Sequence, residues 1–176
     1  EVKAGDSVVA LRENGFRSNG ISLVRKVFKE KYGEEWHLVK FNEESIGKLA
    51  LTPSKIYCKA IVDMHGGIAK PGRVVIHGVA HITGGGIVGK LGRILKPTGL
   101  GAELDDLFEP APVMLHCQKI GNVADIEAYK TWNMGNGMLI ITPEPEKVIA
   151  IAKEHALEAK RAGVICEQTG ISIISK

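Results

Sequence analysis

Residues 81–93 read His-Ile-Thr-Gly-Gly-Gly-Ile-Val-Gly-Lys-Leu-Gly-Arg. Gly84 to Lys90 fits G-x-x-x-x-G-K, the spacing of a nucleotide-binding P-loop, but Leu91 stands where that motif needs a hydroxyl for magnesium. The physics of the turn survives that loss. Glycines entering a helix let backbone N–H groups point outward together, and a helix start adds about half a positive charge, so an oxyanion is favoured there. Lys90 and Arg93 add to the attraction if they face the turn. Three successive glycines, Gly84, Gly85 and Gly86, exceed what a bend requires and point to anion binding.

Two further turns carry the same chemistry. Asn14-Gly-Phe-Arg-Ser-Asn-Gly20 leaves a strand pattern for a helix pattern. Its Arg17, Ser18 and Asn19 offer guanidinium, hydroxyl and carboxamide to a phosphate or polar sugar, with Ser18 or Asn19 also a candidate N-cap. Glu127-Ala-Tyr-Lys-Thr-Trp-Asn-Met-Gly-Asn-Gly137 leaves a helix for a strand. Gly135 or Gly137 suits a left-handed C-cap, and Glu127 and Lys130 suit a solvated i,i+3 ion pair. His77 and His81 are four apart in a strand-like run, so about 13 Å separates them and they cannot share a metal. His81 beside the glycines reads as a donor to a ligand or a proton carrier, and no metal site is expected.

The elements that must hold these turns follow from periodicity. Val8–Leu11, Arg73–Ile82, Leu100–Leu104, Met138–Thr142, Lys160–Glu167 and Ile171–Ser175 read as strands, the last two around the Gln168–Gly170 turn. Helical spacing follows Gly20 through Ile21, Leu23, Val24, Val27 and Phe28, and follows Gly86 through Ile87, Leu91, Ile94 and Leu95. Glu43–Leu51, Ser54–Met64, Pro112–Ile120, Asp125–Trp132 and Pro145–Leu157 complete the helices. The expected fold is α+β in layers, a mixed sheet packed with helices in one domain over 1–176.

Composition narrows the function classes. A net charge of +3 without a Lys/Arg block argues against a nucleic-acid partner. No apolar run nears the roughly 20 residues of a bilayer span, and no signal-peptide pattern opens the chain. Cys58, Cys117 and Cys166 are scattered and odd in number, which suits small buried residues in a reducing, cytoplasmic setting. The chain starts at Glu1 and reads as a processed or cut product.

Taken together, NGFRSNGISLVRK, LTPSKIYCKAI, AHITGGGIVGKLGRIL and EAYKTWNMGNGM resemble the carboxy-terminal half of the aminoimidazole ribonucleotide synthetases, the phosphoribosylformylglycinamidine cyclo-ligases, over essentially the whole chain. The resemblance implies a purine-biosynthesis ligase. ATP would phosphorylate the formyl amide oxygen of formylglycinamidine ribonucleotide, and the amidine nitrogen would then close the imidazole ring. It implies ATP and magnesium held mainly by an amino-terminal domain that this chain does not carry, a phosphoribosylated substrate between the halves, and a homodimer at full length. The fragment alone is expected to be inactive.

Carried onto this sequence, Ser18, Asn19 and Gly20 match the first family loop, with Arg17 beside them. His81, Thr83 and Gly84 to Gly86 match the second, and Thr131, Asn133, Gly135 and Gly137 the third, preceded by Lys130. The resemblance implies that His81 and Asn133 act on the amide and that the others bind substrate or phosphate. Four departures stand out: Arg17 for a usual His, Lys130 for Arg, Gly89-Lys90-Leu91-Gly92 for a usual Glu-Asn-hydrophobic-Pro, and Asn136 for a small apolar residue. The alternatives are a non-catalytic phosphometabolite-binding module and an ATP-dependent kinase or synthetase of the same superfamily.

Overall fold

The computed structural model describes residues 1–68 and 70–174. Its eight strands are β1 (Ser7–Arg12), β2 (Lys40–Phe41), β3 (Glu44–Ser45), β4 (Gly78–His81), β5 (Gly101–Leu104), β6 (Asn136–Thr142), β7 (Ala159–Cys166) and β8 (Gly170–Ile173). Among the described residues seven α-helices accompany them: α1 (Ile21–Tyr32), α2 (Ile46–Ala50), α3 (Cys58–His65), α4 (Gly86–Leu95), α5 (Pro112–Ile120), α6 (Asp125–Thr131) and α7 (Pro145–Glu154). Six strands form one sheet in the order β4-β6-β1-β7-β5-β8, antiparallel throughout except for the parallel β5–β8 pair. The two closing strands therefore do not pair with each other, because β5 lies between them. Ser175, expected at the end of the last strand, lies outside the described residues.

Alternation along β1 sorts the core into two layers. Val8 and Ala10 face α4, where Ile87, Leu91 and Leu95 meet Leu139, Ile141, Ala102 and Ile165. Val9 and Leu11 face the opposite way, onto Ala60 and Met64 of α3 and Val148, Ile151 and Ala152 of α7. All seven residues of β6 are buried, as suits a strand covered on both faces. A third cluster forms a helical lobe, in which Phe16, Val24 and Phe28 pack with Ile46, Val113, Met114, Ala128 and Trp132. The mixed sheet with helices in layers is the expected architecture.

Several boundaries differ from expectation, each for a local reason. The helix expected over Glu43–Leu51 keeps only α2, because β2 and β3 pair as a hairpin and Ser45 Oγ then accepts from the Lys48 N–H at 3.3 Å. The helix expected from Ser54 starts at Cys58, since the Lys55 N–H turns to the Glu13 carboxylate, 3.3 and 3.4 Å from its oxygens. Of the strand expected over Arg73–Ile82, only Gly78–His81 joins the ladder. Its first half is pinned from outside: Val75 donates to Glu144 Oε2 at 2.8 Å and accepts from Thr142 Oγ1 at 2.6 Å, and His77 Nδ1 lies 2.7 Å from Asp6 Oδ2. The cysteines are not uniformly buried. Cys117 is buried and its thiol is pushed up to about 12, whereas Cys58 is exposed and Cys166 half-buried. No helix among the described residues is long and apolar enough to cross a membrane.

Candidate functional site

The three glycine-rich turns, separated by long stretches of sequence, meet at one end of the sheet. β1 and β6 slip register between Leu11 and Arg12, opposite Asn136, so β1 leaves the sheet with a twist that carries Glu13 to Gly20 beside the other two turns. Phe16 anchors this first turn, packed edge-on against Trp132 with centroids 5.5 Å apart. Trp132 Nε1–H donates to the Gly20 carbonyl at 3.3 Å, and Asn133 Nδ2–H donates to the Gly15 carbonyl at 2.8 Å. The second turn is tied to both neighbours. The Ile82 N–H donates to the Gly137 carbonyl at 3.0 Å, and Arg17 Nη1 donates to the Ile82 carbonyl at 2.9 Å.

The backbone at these turns leaves amide groups free. Gly20 (φ 74°) caps α1 and Gly85 (φ 94°) caps α4, and neither helix has a side-chain cap. Ser18 and Asn19 are thus not N-caps, because a left-handed glycine takes that position. Among the described residues, no protein oxygen accepts from the N–H groups of Ser18, Asn19, Gly84 or Gly85. Gly84 and Gly85 are exposed. A Cβ on Gly84 would lie 3.4 Å from Asn19 Oδ1, so the carboxamide of the first turn borders the amides of the second.

The glycines divide by what surrounds them. At Gly85 an added Cβ would make only an ordinary van der Waals contact, 3.7 Å from the Gly89 Cα. At Gly86 (φ 58°) an added Cβ would fall 1.7 Å from the Tyr129 carbonyl oxygen, so the start of α4 sits directly on the end of α6. Gly86 sets the packing; Gly84 and Gly85 are exposed, with Gly84 beside the Asn19 carboxamide.

Beneath the turns lies a buried ion pair. Arg17 Nε is 2.6 Å from Glu13 Oε2, with the two side chains 6% and 0% exposed. Glu13 also accepts from the N–H groups of Asn14 and Lys55 and from the Tyr57 hydroxyl at 3.3 Å, while Tyr57 donates to the Arg12 carbonyl at 2.8 Å. Burial, with Glu13 adding to it, raises the Tyr57 phenol far above its ordinary range, so it stays a neutral donor. Arg17 Nη1 then reaches His81 Nε2 at 3.0 Å. His81 is held below the ordinary imidazole value, first by desolvation and then by the charges of Arg17 and Lys90, with Glu13 opposing.

Of the residues expected at the site, Arg17, Ser18, Asn19, Gly20, His81, Thr83, Gly84, Gly85, Gly86, Thr131, Asn133, Gly135 and Gly137 lie on these converging turns. Asn133 is buried, and its carboxamide is spent on backbone, donating to Gly15 and accepting from the Gly135 N–H at 2.9 Å. Its geometry is that of a strut between two turns. Lys130 is exposed and paired with Glu127 at 3.0 Å, the i,i+3 pair its spacing suggests. Asn136 accepts from the Phe108 N–H at 2.9 Å and donates to the Phe108 carbonyl at 3.1 Å, so this departure pins a neighbouring loop. Sequence reasoning missed Glu13 and Tyr57. The signals were present: a carboxylate four residues before Arg17, and the tyrosine that ends LTP-x-x-IY. No group of three His, Cys, Asp or Glu among the described residues could hold a metal.

Known proteins resemble this chain over most of its length. Phosphoribosylformylglycinamidine cyclo-ligases from Methanococcus maripaludis strain S2 and Carboxydothermus hydrogenoformans are 40% and 39% identical over 94% and 96% of this chain. The cyclo-ligase of Methanocaldococcus jannaschii is 35% identical over 100% of it. The chain spans 45–50% of the length of these curated relatives. Among solved structures, a HypE–HypF complex matches at TM-score 0.64 with 18% identity over 97% of this chain and 50% of that one. Thiamine-monophosphate kinase from Stenotrophomonas maltophilia K279a matches at 0.63 with 12% identity over 98% and 51%, and these likenesses show the shared fold. The family pattern of the AIR synthase related protein, C-terminal domain, covers residues 3–176, and the chain belongs to that family.

Proposed function

We propose that this chain is the substrate-binding half of an ATP-dependent cyclo-ligase that converts formylglycinamidine ribonucleotide to aminoimidazole ribonucleotide in purine biosynthesis. The observation that carries the proposal is the meeting of three glycine-rich turns around unpartnered amides, in a chain 40% identical to named cyclo-ligases. The Gly84 and Gly85 N–H groups at the start of α4, with Lys90 one turn inside, supply a seat for the ribonucleotide phosphate. Asn19 borders that seat, Ser18 and Thr83 add hydroxyls, and Thr131 packs near Gly20 at the third turn. His81 stands at the exposed mouth, where the formyl amide would be activated. Asn133 and Gly137 fix the turns rather than touch the substrate.

ATP is the phosphoryl donor in this reading, and its magnesium is held mainly by an amino-terminal domain of the full-length enzyme. We assign no magnesium ligand to this chain. The full-length enzyme is read as a cytoplasmic homodimer, and the 176-residue chain alone as able to bind but not to turn over. Calorimetric titration with formylglycinamidine ribonucleotide, ribose 5-phosphate and inorganic phosphate tests the seat. Saturable binding of the ribonucleotide, weakened about tenfold or more by Asn19→Ala with unchanged thermal stability, is the expected result. Binding that ignores Asn19→Ala, or no binding of any phosphate compound, would sink the reading.

A further inference from the structure

The contact between Arg17 and His81 fixes more than a distance. A guanidinium has five N–H donors and no acceptor, so a nitrogen that meets it must offer a lone pair. His81 Nε2 lies 3.0 Å from Arg17 Nη1 and is therefore the unprotonated nitrogen of the ring. Arg17 cannot turn to accommodate another arrangement. Its Nε is held by Glu13 at 2.6 Å, its Nη1 also donates to the Ile82 carbonyl at 2.9 Å, and its side chain is 6% exposed. Glu13 is immobilised in turn by Asn14, Lys55 and Tyr57.

We propose that Arg17 is a positioning residue that locks His81 in one neutral tautomer, with the proton on Nδ1, so that the ring offers the cleft a hydrogen-bond donor instead of a base. The chain of command runs from the buried carboxylate of Glu13 through the guanidinium to the imidazole. Among the described residues no other group bonds the ring, so Nδ1–H is its one uncommitted polar group. The groups facing His81 are Arg17 and Glu13 from the first turn, Lys90 from α4, and the Tyr57 ring edge-on at 6.5 Å. Arg17 and Lys90 both oppose a proton on Nε2, and only Glu13 favours it. The ligand atom that fits is an acceptor: a carbonyl, an amide oxygen or a phosphoryl oxygen. This deepens the cyclo-ligase reading by naming the kind of substrate atom His81 meets. The tautomer itself belongs to the ligand-free protein, so the two ideas fail separately.

The test is long-range proton–nitrogen NMR on the ligand-free chain labelled in its histidine rings, from about pH 5 to about pH 8. His81→Asn identifies the His81 signals by their loss. The expected spectrum has Nδ1 protonated and Nε2 bare at neutral pH, with a midpoint below that of a free imidazole. Arg17→Met alone strands a buried carboxylate, so the double variant Glu13→Gln with Arg17→Met is the companion measurement. It should move the proton toward Nε2 and raise the midpoint. A proton on Nε2 in the unmodified chain overturns the proposal, as does a double variant whose tautomer and midpoint are unchanged.

Discussion

At the scale of single residues, neighbouring positions that look interchangeable in sequence have separate costs. Gly85→Ala makes only an ordinary contact with Gly89 and suffers only its left-handed backbone, a penalty of about 1–2 kcal/mol. Gly86→Ala adds a Cβ 1.7 Å from the Tyr129 oxygen, which forces α4 away from α6. Urea unfolding should therefore show a larger loss for Gly86→Ala, and equal losses would contradict the packing described. The Glu13–Arg17 pair gives a second contrast. Removing only the guanidinium by Arg17→Met leaves a carboxylate buried without its counter-charge and should cost about 3–5 kcal/mol, while Glu13→Gln with Arg17→Met should recover much of it. Asn136→Ala strands both backbone groups of Phe108, at about 1–3 kcal/mol for each group left dry. Glu13, Arg17 and Asn136 share a property: part of their worth lies in the backbone groups they satisfy, which no residue type announces in a sequence.

At the scale of elements, helices and strands with a clear period were legible and the pinned segments were not. The runs after Gly20 and Gly86 became α1 and α4, and Val8–Leu11 became the centre of β1, because one side-chain period decided each. Residues 54–57 and 73–77 lost their expected form to partners distant in sequence: Glu13 took the Lys55 N–H, and Glu144 and Asp6 took Val75 and His77. The turns were legible as junctions between strand and helix patterns from their glycines, but the Glu13–Tyr57 underlay needed the third dimension. The helical lobe adds a titrating element. His116 stacks on Phe41 at 4.5 Å, and its Nε2 meets the Tyr32 hydroxyl at 2.8 Å. Desolvation first, then Lys119 and Lys31, hold its imidazole below the ordinary 6.5. The unfolded chain then binds more protons than the folded one in the window below 6.5, so stability is full above it and falls as pH falls. His116→Gln should flatten part of that slope in denaturation curves taken between about pH 7 and about pH 5. A slope identical to the unmodified chain's would remove His116 from the account.

At the scale of the whole molecule, the sheet acts as a frame whose one end gathers turns from β1, β4 and β6, three adjacent strands of the order β4-β6-β1. Adjacency explains why fragments far apart in sequence meet at one end of the sheet, with β6, buried along its whole length, between the other two strands. The frame brings together exposed amides and an imidazole held below its ordinary value; among the described residues no group of three His, Cys, Asp or Glu could hold a metal. In the proposed reading, binding of the ribonucleotide and transfer of phosphate belong to different halves of the enzyme, and that separation can be measured. Mixed with the amino-terminal half of the Methanococcus maripaludis cyclo-ligase, this chain should restore ATP-dependent ring closure that neither half shows alone, read by product absorbance and ADP release. Asn19→Ala in this chain should weaken the response to ribonucleotide concentration more than the response to ATP, since its carboxamide borders Gly84 in the proposed phosphate seat. Equal loss toward both substrates would mean that the turns hold the nucleotide instead, and ring closure by this chain unaided would mean that the seat also carries the phosphoryl chemistry.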